Sequence, residues 1–367
     1  MLKCQSKEEK NWFSIQLKPV GSACNINCSY CYVKPFRTDR LSIMSEEVLS
    51  RTIKSCLESS LKPTFTWHGG EPLLAGSEFF LKATKIMRMY QKRKTPIKNI
   101  LQTNATLITP LLANILKENK FSVSVSLDGP EKIHGIHRVD NKGKNTFHKA
   151  MKGIDNLVKA KIVPSVVCTV TQATLAYAEE VFEFLVSKGF KQIKYSPVFD
   201  SFSDNFSITS DEWFFYLKKV FDKWLEIANP EIHIRELDEV IVWIQKEKIS
   251  LCSADKTCLN WVSVDPKGDL YPCEYLRSTY SHGNILSLDL IDIVRKPTFL
   301  KFKKSFYIVP RKCRDCEFYL FCGNGCPATR VCDGKLSHSG VYVYCDERKK
   351  LYLYIKKVFE KELCSGL

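Results

Sequence analysis

Cys24, Cys28 and Cys31 stand in the run Cys-Asn-Ile-Asn-Cys-Ser-Tyr-Cys-Tyr. Three thiolates in so short a loop can hold three irons of a 4Fe–4S cluster and leave the fourth iron open to an exchangeable ligand. A structural zinc site is the alternative chemistry. It wants a fourth Cys or His close by, and none stands near this loop. A second array begins with Cys252, Cys258 and Cys273 and continues with Cys313, Cys316, Cys322, Cys326 and Cys345. These suffice for two fully ligated iron–sulfur clusters, or for two structural zincs. Cys4, Cys56, Cys168, Cys332 and Cys364 fall outside both arrays. Cys56 and Cys168 read as small buried hydrophobes, and Cys332 is an unclaimed neighbour of the second array.

Trp67-His68-Gly69-Gly70-Glu71-Pro72 follows the apolar run that starts at Thr64. Alone it is a tight turn. Together with the three-cysteine loop and its trailing aromatic it resembles the radical S-adenosylmethionine (SAM) superfamily. There a Gly-Gly-Glu-Pro segment at a strand end lines the SAM amino group with backbone, and glycine lets main chain come close to a ligand. The resemblance therefore makes Gly69, Gly70 and Glu71 cofactor-binding residues. The spacing of the second array, with His282-Gly283-Asn284-Ile285 after a hairpin, resembles the SPASM domain of peptide-modifying radical SAM enzymes. That likeness assigns Cys252, Cys258, Cys273 and Cys326 to a first auxiliary cluster, and Cys313, Cys316, Cys322 and Cys345 to a second.

The likeness runs nearly end to end with the anaerobic sulfatase-maturating enzymes. It is carried by Lys18-Pro19-Val20, by Gln102-Thr103-Asn104-Ala105-Thr106-Leu107, by Ser126-Leu127-Asp128-Gly129-Pro130, and by Ile133-His134 followed by Arg138. It implies SAM contacts at Gly70, Ser126 and Arg138, and one near Phe199. A guanidinium at position 138 suits a carboxylate partner. Three positions depart from the family pattern. Val33 stands where an aromatic SAM contact is expected, with Tyr32 beside it. His68 stands where glutamine is common. Glu274 stands where the proton-accepting aspartate follows the third auxiliary cysteine. The carboxylate is kept on a longer arm, so Glu274 is the expected catalytic base. A base must reach its proton within hydrogen-bond distance.

This resemblance implies three 4Fe–4S clusters and SAM as cofactors. A flavodoxin- or ferredoxin-type reductant feeds an electron to the first cluster, and a 5′-deoxyadenosyl radical takes hydrogen from a peptide carbon. Glu274 accepts a proton and the auxiliary clusters remove an electron. A cysteine or serine target becomes formylglycine. The alternative is a maturase of ribosomal peptides that forms a thioether, carbon–carbon crosslink or cyclophane. Many such enzymes carry a peptide-recognition domain of roughly 80 residues before the barrel, and only 23 residues precede Cys24 here. A non-catalytic electron carrier fits less well, since a carrier needs no open iron.

The elements that must position these residues alternate along the chain. Strands are expected at Phe13–Leu17, Thr64–Trp67, Ile100–Thr103, Ser122–Leu127, Val163–Thr169 and Gln192–Tyr195. Helices are expected at Ser45–Glu58, Phe79–Lys92, Thr109–Glu118, Phe147–Lys159 and Ala176–Lys188. Such alternation implies parallel βαβ units. The expected fold is α/β, a partial (β/α)6 radical SAM barrel over residues 1–205. A helical linker follows over 206–249, with a helix at Asp211–Ala228, and then a cysteine-rich SPASM domain over 250–367. Both Cys24–Cys31 and Gly69–Glu71 follow strands, which puts them at the C-terminal rim where such barrels do chemistry.

Bulk properties bound the partners. The chain has 367 residues, 44% of them hydrophobic, as for ordinary globular proteins. No apolar run reaches membrane-span length. The 16 cysteines occur without the apolar segment of a secretory signal, which argues for metal or redox chemistry in the cytoplasm rather than disulfides. The formal charge of +15 falls to about +10 once the cluster thiolates are counted. Lysines are scattered, as on solvated helix faces, so neither nucleic acid nor membrane is an expected partner. A peptide or protein substrate and a small acidic electron carrier are.

Overall fold

In a computed structural model the protein is described over residues 14–37, 40–91, 96–199, 206–245, 261–277, 279–293, 295–332, 335–337 and 339–365. Six strands form the expected partial barrel: β1 (Ser14–Leu17), β2 (Thr64–Trp67), β3 (Lys98–Thr103), β4 (Phe121–Ser126), β5 (Ser165–Val170) and β6 (Gln192–Pro197). They pair in chain order and in parallel, with Leu17 opposite Trp67 and Thr103 opposite Val125. Helices α1 (Glu46–Ser59), α2 (Ser77–Tyr90), α3 (Pro110–Glu118), α4 (Glu131–His137), α5 (Phe147–Lys159) and α6 (Ala178–Ser187) connect them. Their starts follow local chemistry. The Ser45 hydroxyl accepts from Val48 N, and Thr109 Oγ1 accepts from Leu112 N, each satisfying an otherwise orphaned first-turn donor. Before α6 the chain runs as the 3-10 turn Gln172–Tyr177 rather than as helix from Ala176.

The barrel strands alternate in burial. In β5, Val166, Cys168 and Val170 are buried, while Ser165, Val167 and Thr169 are only half-buried. Parallel strands covered on both faces usually read as continuous apolar runs. Here the inner face is left partly polar because it lines a cavity. Cys56 and Cys168 sit in the core as expected.

Two connections exceed what periodicity suggests. The segment after β6 holds helices α7 (Ser210–Ile227) and α8 (Arg235–Ile244), and between them β7 (His233–Ile234), which pairs in parallel with β6. A two-residue strand has no period to detect. The hairpin β8 (Trp261–Val264) and β9 (Asp269–Tyr271) lies where the sequence places one, but β8 also pairs in parallel with β1, Leu17 opposite Val264. With β10 (Gly283–Asn284) the sheet therefore has ten strands, ordered β10-β9-β8-β1-β2-β3-β4-β5-β6-β7. The edge of β1, otherwise a row of unpaired backbone groups, is closed by the cysteine-rich region. Further on, β11 (Arg330–Cys332), β12 (Lys335–Leu336) and β13 (Val341–Tyr342) make a small sheet. The last helix, Cys345–Ser365, packs back on α7 and α8. Tyr354 there donates to Asp222 Oδ1 at 2.7 Å. Among the described residues, no helix is long and apolar enough to cross a membrane.

Candidate active site

A cavity of about 630 Å³ opens at the C-terminal rim of the barrel. Cys24, Cys28 and Cys31 line it, together with Gly69, Gly70, Ser126, Arg138 and Phe199. One site thus gathers residues from β2, β4, β6 and the loop after β1. Each cysteine sulfur faces a side-chain N–H donor. Asn104 Nδ2 is 3.7 Å from Cys24 Sγ, Arg37 Nη2 is 3.6 Å from Cys31 Sγ, and Arg138 Nη1 is 3.9 Å from Cys28 Sγ. Burial pushes the Cys28 thiol up to about 12, against the pull of the Arg138 charge, and raises the Cys24 thiol as well. Three soft sulfur ligands with outer donors fit a site-differentiated iron–sulfur cluster.

The glycines are required for a reason the motif does not show. A Cβ on Gly70 would stand 2.0 Å from Ala23 O, and one on Gly69 would stand 2.4 Å from Gly21 O. Gly70 N donates to Gly21 O at 2.9 Å, and Glu71 N donates to Ala23 O at 2.8 Å. The close approach is to the backbone that leads into Cys24. Glu71, expected to contact the cofactor, does not line the cavity. Its fully buried carboxylate accepts from Leu73 N at 3.1 Å, Thr103 Oγ1 at 2.8 Å and Asn104 N at 2.8 Å. Burial raises its pKa to about 7 against those three hydrogen bonds. Asn104 passes the constraint on, donating to Asn25 Oδ1 at 2.9 Å. Glu71 is thus a positioning residue for the cysteine loop.

Arg138 is held by Asp128, whose Oδ2 accepts from Arg138 Nε at 2.7 Å and from the Tyr30 hydroxyl at 2.5 Å. Asp128 Oδ1 accepts from Thr169 N at 2.9 Å. Burial pushes the Asp128 carboxyl up, and Arg138, His134 and Tyr30 together outweigh it and hold it low. The Ser126 hydroxyl accepts from Gln102 Nε2 at 3.0 Å. His68 Nδ1 accepts from Gly69 N at 2.6 Å. Burial, with Lys18 and Lys194 nearby, lowers its pKa to about 3. The ring is neutral, its proton sits on Nε2, and it keeps the donor that a glutamine amide would offer.

Glu274 does not line the cavity. It is buried and ion-paired with Lys18, and the Tyr271 hydroxyl donates to its Oε2 at 3.4 Å. Burial, with the Arg277 charge, lowers Lys18 to about 7. The next residue, Tyr275, does line the cavity.

In the second array, Cys273 and Cys326 pack against the same group, Leu276, Tyr280, Phe302 and Ala328. Cys252 and Cys258 lie outside the described residues. Cys313 lies near Cys316 and Cys322, and Cys345 lies near Cys322. Burial raises the Cys313 and Cys345 thiols, and the neighbouring Cys322 raises both further. Arg348 Nη1 is 3.7 Å from Cys322 Sγ. Cys332 is exposed.

Lys18, Asn104 and Asp128 sat inside motifs that carried the family likeness, but their roles were not legible there. Gln102 sat in such a motif too, and Lys194 carried a weaker signal, as a polar alternate on β6. Tyr275 had none.

Fold and site together define a radical SAM enzyme with a second, cysteine-rich region. The family model for the radical SAM superfamily matches residues 19–185, and that for the SPASM iron–sulfur cluster-binding domain matches residues 252–317. The chain is 31% identical over 356 residues to the cysteine-type anaerobic sulfatase-maturating enzyme of Clostridium perfringens, covering 93% of this chain and 95% of that one. It is similar to the solved structure of native anSMEcpe with bound AdoMet, with a TM-score of 0.88 at 30% identity over 97% of this chain and all of the other. The structure of native anSMEcpe with AdoMet and the Kp18Cys peptide gives 0.86 at 28% identity, covering 97% of this chain and 99% of that one. This chain belongs to the family of anaerobic sulfatase-maturating enzymes, whose cofactors are 4Fe–4S clusters and SAM.

Proposed function

We propose that this enzyme oxidises a cysteine of a peptide or protein substrate to formylglycine. The observation that carries the reading is the single cavity where three cysteine sulfurs, each with its N–H donor, meet Gly70, Ser126 and Arg138. The full-length likeness to a cysteine-type maturase supports it. Cys24, Cys28 and Cys31 hold the cluster that binds SAM. Cys252, Cys258, Cys273 and Cys326 hold the first auxiliary cluster, and Cys313, Cys316, Cys322 and Cys345 the second. When bound, these groups supply a 5′-deoxyadenosyl radical and an acceptor for the substrate's second electron.

The chain's own residues do the rest. Gly69 and Gly70 present backbone to the SAM amino group, and Arg138, aimed by Asp128, faces the SAM carboxylate. Ser126 and Phe199 complete that pocket. One hydrogen atom leaves the substrate Cβ, then a proton and an electron. Glu274 is the proton acceptor that the family likeness assigns, and it reaches the substrate when its ion pair with Lys18 opens toward the cavity. Water then displaces sulfur as hydrogen sulfide and leaves the aldehyde. A flavodoxin- or ferredoxin-type carrier is the reductant this chemistry needs. The reducing cytoplasm is the compartment that keeps so many thiols free.

The test is mass spectrometry of an anaerobic reaction of reconstituted enzyme, SAM, reductant and a peptide bearing Cys-x-Pro-x-Arg, with a serine version in parallel. Conversion of cysteine to formylglycine is expected. Deoxyadenosine formed beside an unaltered peptide overturns the assignment and points to a ribosomal peptide precursor.

A further inference from the structure

Tyr275 occupies the short 3-10 turn Glu274–Leu276, beyond β9. Its ring lies parallel to that of Tyr32, with centroids 4.5 Å apart and planes within 10°. Tyr32 directly follows Cys31. The stack joins the N-terminal cysteine loop to the C-terminal cysteine region across the cavity, and both rings line that cavity. Tyr275 is nonetheless 43% exposed. One of its faces is taken by Tyr32, so an ordered apolar surface is left wetted inside the cleft. That arrangement costs hydration free energy until a ligand covers it.

We propose that Tyr275, backed by Tyr32, is a substrate-binding residue whose outer face holds an apolar side chain of the bound peptide beside the reacting residue. The proposal rests on the reading of the substrate as a peptide. Two observations narrow the ligand. Gly69, Gly70 and Ser126 come from the ends of β2 and β4 and Arg138 from the end of α4, whereas Tyr275 enters the same cavity from the opposite flank of β1. Lys34 and Arg37 line the cavity beside Tyr32. A cationic side chain is repelled there, and the negative face of a ring does not attract an anion. An aliphatic or prolyl group fits what remains. Tyr32 acts through Tyr275 by fixing its tilt.

The experiment titrates reconstituted enzyme, with SAM present, into a fluorescently labelled Cys-x-Pro-x-Arg peptide and reads anisotropy. SAM affinity is read separately from peptide-free SAM cleavage, and iron content reports folding. Tyr275→Ala should weaken the peptide Kd about tenfold. SAM affinity should stay within about twofold. Tyr275→Phe should bind peptide as wild type does, because the ring face rather than the hydroxyl makes the contact. Tyr275→Leu keeps bulk in the turn and should lose affinity as alanine does, which covers the case where alanine lowers iron content. Wild-type peptide affinity in both the Ala and Leu variants overturns the proposal, and so does a parallel loss of SAM affinity. A wild-type enzyme that binds the peptide through Tyr275 but leaves its cysteine intact removes the formylglycine reading and supports this one. A wild-type enzyme that does not bind the peptide overturns both.

Discussion

Lys18, from the end of β1, and Glu274, from the turn after β9, form an ion pair with only 1% and 3% of their side chains exposed. Removing one partner from a buried pair leaves an uncompensated charge, at a cost of about 3–5 kcal/mol. Arg277 Nη1, 3.8 Å from Glu274 Oε1, softens the loss. Lys18→Met should therefore destabilise the protein toward the low end of that range, as measured by denaturant unfolding. An unchanged midpoint would mean the pair is not closed in solution.

Glu274→Gln separates the two halves of the reaction. The amide keeps the shape and loses the ability to take a proton. Peptide-dependent product should fall by about 100-fold or more, while SAM cleavage to deoxyadenosine continues. Product at the wild-type rate would move the base elsewhere.

Asp128 orients Arg138 through the 2.7 Å bond to Nε. In Asp128→Asn the guanidinium loses its charged partner and its fixed direction. The apparent KM for SAM should rise about tenfold, the loss of roughly one charge-assisted hydrogen bond. Steady-state SAM cleavage checks this, and an unchanged KM would detach Arg138 from SAM.

Gly70→Ala places a methyl group 2.0 Å from Ala23 O, a contact with backbone that cannot rotate away. The segment leading into Cys24 must shift. Iron bound after anaerobic reconstitution should drop, with the loss visible in the iron-to-protein ratio and in the charge-transfer absorbance. Full iron content would show that the loop yields at little cost.

Glu71 makes stability depend on pH. Its folded pKa, about 7, lies above the ordinary 4.5. The carboxyl is protonated in both states below pH 4.5, so no penalty applies there. As pH rises toward 7 the unfolded chain ionises first, and the native state loses roughly 3 kcal/mol at about 1.4 kcal/mol per unit. Glu71→Gln cannot ionise. Its unfolding free energy, relative to wild type, should improve steadily from pH 4.5 to 7 and level off above. Parallel pH profiles would contradict the shift.

Much of this enzyme is readable along the chain. The spacing of Cys24, Cys28 and Cys31 speaks for itself because a cluster is a local ligand and three thiolates must sit within one short loop to share it. The strands β1–β6 and the helices α1, α2, α3, α5 and α6 declare themselves through period and capping, since each element must hide one apolar face, whereas the seven-residue α4 does not. Tertiary structure decided the remainder. The pairing of β8 with β1 spans most of the chain, and backbone edges carry no residue code for their partners. Glu71 reads as part of a ligand motif, yet the fold turns its carboxylate toward the β3 end. Whether Glu274 meets solvent, substrate or Lys18 depends on how the hairpin docks. The Tyr32–Tyr275 stack exists only because that docking brings two distant loops to one cavity. Sequence alone determined which chemistry the cysteines can do, because ligand identity and spacing are local. Only the folded structure decided which side chains face the reaction, because burial and contact belong to the whole packing.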